Sequence, residues 1–184
     1  MNDFTYFAPT KVLFGRGVEA SVGAELRALG AKRVLVHFGG GSAVRSGLLQ
    51  KITDSLQEAG LTWVELGGVS ANPRLDMVRK GTELARAEQI DFVLAVGGGS
   101  VIDSAKAIAV SVAGGGDFWE YIEGKPVEAC LPIGVVLTIA AAGSEMSNSC
   151  VITDTDRQHL THILQNAPHE PHIFHVHAGE IHRG

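Results

Sequence analysis

The apolar positions fall into short continuous runs separated by stretches of helical periodicity. Residues 33–38 read RVLVHF and run straight into Gly39-Gly40-Gly41-Ser42. An apolar, β-branched run bounded by glycine predicts a buried strand followed by a tight turn. Within 43–59, Leu48, Leu49, Ile52 and Leu56 recur at helical spacing, and Gly60 supplies a stop. A short strand at 62–66, a turn at Asn72-Pro73 and a helix over 74–88 follow, with Leu75, Val78, Leu84 and Ala85 on one side of that helix. Residues 91–96, DFVLAV, predict the next buried strand, which ends in Gly97-Gly98-Gly99-Ser100. The helix VIDSAKAIAVSVA opens directly behind it and closes at Gly114-Gly115-Gly116. A further apolar strand at 133–137 leads into Thr138 and the small-residue run IAAAGSE.

Apolar strands alternating with helices predict a parallel sheet covered on both faces. The expected fold is therefore α/β, a doubly wound, Rossmann-like domain over residues 1–157. The remaining segment, 158–184, has a different composition: seven of the eight histidines lie there, without strand–helix punctuation by glycine.

Composition adds bounds. A chain of 184 residues suits one domain, or one domain plus a tail. With 45% hydrophobic and 19% charged residues it has the means to bury a core. A net charge of -5 argues against a nucleic-acid partner held through phosphates. No apolar run approaches the roughly 20 residues of a membrane span. The opening MNDFTYFAPTKVLF lacks the basic and apolar regions of a secretory signal. A cytoplasmic protein is expected, with Cys130 and Cys150 as reduced core thiols.

The chemistry lies in the glycines. A strand ending in glycines and opening a helix lets the backbone approach a phosphate, and the helix adds N–H groups and its positive dipole end. Residues 97–100 have that context, although they are not a GxGxxG fingerprint, and triple glycine also makes a plain turn. Asp103 and Lys106 follow in the first two helical turns. They suit ribose hydroxyls and pyrophosphate oxygens, or equally a dipole-favoured acid and a solvated amine. At the earlier turn no acid stands between His37 and Val44, and Arg45 is close. An acid there would favour a free ribose 2′-hydroxyl, so its absence favours NADP over NAD.

With VGGGSVIDSAKAIA, TIAAAGSEMSNSCVITD and the opening FTYFAPTKVLFGRG, the chain resembles the iron-containing alcohol dehydrogenases over about residues 4–157. The nearest subgroup looks like the NADP-dependent butanol dehydrogenases, whose adenosine-side turn carries a similar sequence. Polyol dehydrogenases share the GGGS turn but fit the opening less well. The resemblance implies that Gly97, Gly98 and Ser100 cradle the pyrophosphate and that Gly39, Gly40 and Ser42 surround the 2′-phosphate. It places Asp103 toward the nicotinamide and ribose, and Thr138 and Ser144 along the cofactor on the neighbouring strand and loop. It implies hydride transfer between a small alcohol or aldehyde and NADP; apolar surface left uncovered without a helical domain makes self-association into a homo-oligomer the expectation. It also implies a following helical domain that holds a divalent iron or zinc ion.

Two departures stand out. Ala142 replaces a family threonine, removing a hydroxyl from the cofactor groove. Beyond Asp156, the family's cofactor-reaching lysine and metal-bearing helical domain are not visible, so no catalytic residue and no metal ligand is assigned. A catalytically inactive nucleotide-binding module is the alternative reading. The tail reads three ways: a shifted frame, a metal-binding segment, or a solvated terminus. His169, His172, His175 and His177 are dense enough to capture a metal, yet Pro168 and Pro171 forbid a regular helix across them.

Overall fold

The computed structural model describes residues 10–141 and 143–156, and the backbone of Leu160–Leu164 and His175–His177. At the centre is a six-stranded sheet, parallel in every pairing. Its strands are β1 (Val12–Leu13), β2 (Arg33–Gly39), β3 (Thr62–Val69), β4 (Phe92–Gly97), β5 (Ile133–Leu137) and β8 (His175–His177), in the spatial order β1-β8-β5-β4-β2-β3. A separate antiparallel pair joins β6 (Cys150–Asp154) to β7 (Leu160–Leu164).

Alternation along each strand divides the core in two. Val34 and Val36 of β2, Leu94 and Val96 of β4 and Val136 of β5 face α1 (Val22–Ala28) and α3 (Leu48–Glu58). Leu35, Val93, Ala95, Val135 and Leu137 face α4 (Leu75–Ala87), α5 (Gly99–Gly114) and α6 (Phe118–Ile122). Strands buried on both faces read as unbroken apolar runs, which is why hydrophobic pattern alone marks them. The doubly wound expectation holds.

Helix α5 is the most buried. Val101, Ile102 and every residue from Ser104 to Ser111, Lys106 included, are shielded from solvent. A helix apolar nearly all round belongs in a core. Full burial of one isoleucine such as Ile102 stabilises by about 2 kcal/mol.

Three expectations need correction. The helix read over 43–59 is two: α2 (Ser42–Arg45) ends before Gly47, whose φ of 75° lies in the left-handed region that only glycine adopts cheaply, and α3 begins behind it. The strand expected at 62–66 runs on to Val69, because Gly67 lets the Phe38 ring lie where a Cβ would be, 2.5 Å from its nearest atom. Gly97 belongs to β4 rather than to the turn. Beyond residue 157, β7 pairs with β6 and β8 inserts between β1 and β5. His169, His172 and Ala142 lie outside the described residues.

Candidate cofactor site

The connection from β2 leads outward to β3 on one side, and that from β4 leads to β5 on the other. Where such connections diverge, the carboxyl ends of the two strands leave a crevice, and open α/β sheets bind ligands there. Both glycine turns stand at this point. Phe38 pairs with Val96 across β2 and β4, so the chain enters the two turns side by side. The Val101 side chain lies beneath both: a Cβ on Gly39 would stand 3.6 Å from its Cγ2, and one on Gly97 would stand 2.6 Å from the same atom. Gly97 therefore serves close packing of α5 on β4.

Gly98 and Gly40 are glycine for another reason. Gly98 has φ -97° and ψ -167°, extended backbone open to any residue, and a Cβ there would meet nothing closer than the Ile139 carbonyl oxygen at 3.9 Å. The turn therefore needs no positive φ at Gly98. A Cβ on Gly40 would meet nothing within 4 Å. Neither internal packing nor backbone strain asks for glycine at either place, and both leave bare backbone beside open space. The residue whose φ does demand glycine is Gly41, at 116°, with the Arg45 guanidinium packed against it. Ser42 begins α2 behind it, and Ser100 lies in the first turn of α5.

Thr138 follows β5, and its N–H donates to the Gly97 carbonyl at 3.1 Å, which brings the third strand end to the crevice. Across the mouth the order is Gly39–Ser42, then Gly97–Ser100, then Thr138, because the sheet runs β2, β4, β5.

Asp103 and Ser144 are brought together but turned inward. The Ser144 hydroxyl donates to one Asp103 carboxylate oxygen, and the Val151 N–H donates to the other at 3.1 Å. Burial holds the Asp103 carboxyl above its ordinary range, against the opposing pull of Ser144, Val151 and Lys106. Lys106 is not solvated: it is 5% exposed. Its ammonium donates to the Ser144 carbonyl at 2.6 Å, the Ser144 hydroxyl at 3.1 Å and the Ser149 carbonyl at 2.8 Å. Burial pulls its pKa below that of a free lysine, and Asp103 opposes the shift.

Sequence pattern did not single out His37. It is fully buried, with Nδ1 2.9 Å from the Leu66 carbonyl and Nε2 2.8 Å from the Ser104 hydroxyl. A histidine within an otherwise apolar buried strand was the available signal. Cys130 is a free thiol, and burial pushes it up to about 12, so it is unreactive.

Comparison with known proteins decides the family. Residues 9–173 match the iron-containing alcohol dehydrogenases. The chain belongs to the iron-containing alcohol dehydrogenase family. It is 49% identical over 156 residues to a probable NADH-dependent butanol dehydrogenase of Bacillus subtilis, covering 84% of this chain and 40% of that protein. It is 36% identical to the NADPH-dependent aldehyde reductase YqhD of Escherichia coli, covering 89% of this chain and 43% of the reductase. Its fold superimposes with a TM-score of 0.91 on an NADH-dependent butanol dehydrogenase from Thermotoga maritima, at 39% identity, covering 95% of this chain and 44% of that one. The chain thus spans about 40% of the length of the curated relatives it matches. The names of these dehydrogenases carry NADH in some cases and NADPH in another.

The iron in the family name has no seat among the described residues of this chain. Among the described residues no three histidine, cysteine, aspartate or glutamate side chains converge to hold a metal ion. No helix among them is long and apolar enough to cross a membrane.

Proposed function

We propose that this chain is the dinucleotide-binding half of an alcohol dehydrogenase that moves a hydride between a small alcohol or aldehyde and NADP. The observation that carries the reading is the crevice between β2 and β4, where Gly40 and Gly98 leave backbone bare with no internal reason to do so. A pyrophosphate over Gly97, Gly98 and Ser100 meets the open N–H groups and positive end of α5. The acid-free turn at Gly39, Gly40 and Ser42, with the Arg45 guanidinium packed against Gly41, suits a 2′-phosphate better than a free hydroxyl. Thr138 lies on the opposite, nicotinamide side. A bound nicotinamide supplies the hydride chemistry, and this chain's own residues bind and orient it.

The described residues hold no ligand set for a metal. The chain alone is accordingly read as binding cofactor without turnover. It is placed in the cytoplasm as a self-associating protein without nucleic-acid or membrane partners. Titration of NADPH and NADH, followed by the fluorescence of the reduced nicotinamide, tests the reading. NADPH is expected to bind more tightly. Binding of neither nucleotide would overturn it.

A further inference from the structure

The loop from Gly143 to Val151 leaves the β5 side of the crevice and is held from inside by one helix. Two side chains of α5, one turn apart, take both ends of that loop. Asp103 accepts from the Ser144 hydroxyl and from the Val151 N–H. Lys106 donates to Ser144 twice and to the Ser149 carbonyl. Its three protons meet three acceptors, so the ammonium is saturated where an unpaired buried charge would be prohibitive. Carbonyls five residues apart converge on this one nitrogen, which bends the loop around it. Among the described residues, the hydrogen bonds of Lys106 go to this loop.

The same helix begins at the pyrophosphate turn. Its first turn thus places the phosphates, and its second fixes the loop beside them. Because the crevice runs from the Gly39–Ser42 turn, through Gly98, to Thr138, the strapped loop stands on the side away from the adenosine.

We infer that Lys106 is a positioning residue that sets the loop 143–151 against the nicotinamide half of the bound dinucleotide. The inference rests on the cofactor reading above and adds a residue and a division of labour to it. Two probes separate the halves of the ligand: NADPH, and adenosine 2′,5′-bisphosphate, which ends before the nicotinamide. Lys106→Met is expected to weaken NADPH about tenfold, as loss of charge-assisted hydrogen bonds does, and to leave the bisphosphate affinity unchanged. The Val151 amide should exchange with deuterium faster in this variant, while the amides of β2 and β4 do not. Lys106→Gln retains donors and is expected to recover part of the NADPH affinity. It also decides the matter by the same two titrations if Lys106→Met fails to fold.

Equal weakening of both nucleotides would reduce Lys106 to a general support of the fold and overturn the inference. Unchanged NADPH affinity in Lys106→Met would overturn it as well. Failure of the unmodified chain to bind NADPH is a separate result, which removes the cofactor reading and this inference with it.

Discussion

Nε2 of His37 lies 2.8 Å from the Ser104 hydroxyl, and the pair ties β2 to α5 beneath the crevice. The Leu66 carbonyl can only accept, so Nδ1 carries the proton and Nε2 accepts from Ser104. The imidazole is therefore neutral, and burial lowers its pKa to about 4. One side chain joins β2, β3 and α5 two residues before Gly39 and four residues after Ser100.

Acid should therefore loosen the domain well before its carboxylates titrate fully. The unfolded histidine takes a proton near 6.5 and the folded one near 4, so stability is whole above pH 6.5 and falls as pH drops toward 4. The full loss is on the order of 3 kcal/mol. Denaturant midpoints measured across this range should show the slope, and His37→Gln, which cannot titrate, should flatten it. An unchanged slope in that variant would assign the effect elsewhere.

Gly98→Val should remove most dinucleotide affinity while the thermal midpoint stays nearly unchanged. Its φ of -97° accepts any residue and the space around it is open, so the valine meets the ligand, not the protein. Gly41→Ala should do the reverse to stability, costing about 1 kcal/mol because φ is 116° there. Paired melts and NADPH titrations of both variants check the contrast.

Gly40→Asp should shift preference from NADPH toward NADH. A carboxylate at that open position repels a 2′-phosphate and accepts from a 2′-hydroxyl. The ratio of the two dissociation constants is the readout, and a ratio unchanged from the unmodified chain would count against the adenosine-side assignment.

With NADP, butanol and added Fe²⁺ or Zn²⁺, the chain by itself should show no alcohol oxidation above background. Hydride transfer tolerates little misplacement, roughly 1 Å costing about 10²-fold, and the described residues fix no metal. Metal-dependent reduction of NADP that vanishes on deleting residues 159–184 would reveal a working site in the histidine-rich segment.

The chain should self-associate. Ile139 and Met146 stand out on the β5 side of the crevice, 66% and 45% exposed. Large apolar side chains left in water favour association. Sedimentation at several concentrations should show growth in mass, reduced by Ile139→Ser with Met146→Ser; a monomer throughout would refute it.

Local chemistry makes much of this protein readable from its sequence. Strands buried on both faces must be apolar throughout, so RVLVHF, DFVLAV and the run at 133–137 announce a parallel sheet on their own. Three separate motifs in order are enough to place the chain in its family, as the match over residues 9–173 bears out. Strand order is not local: only packing puts β4 between β2 and β5 and so brings two glycine turns 58 residues apart in sequence to one crevice. Periodicity places Asp103 and Lys106 on α5 but leaves open whether they face water or ligand. Tertiary structure decides it, because the loop that saturates them returns about 40 residues later, and hydrogen-bonding groups from distant positions meet only when the chain has folded. For the same reason the sequence marks His37 as unusual without telling its role: its partners Leu66 and Ser104 lie on other elements, and a polar side chain in a buried strand reveals its purpose only through what it touches.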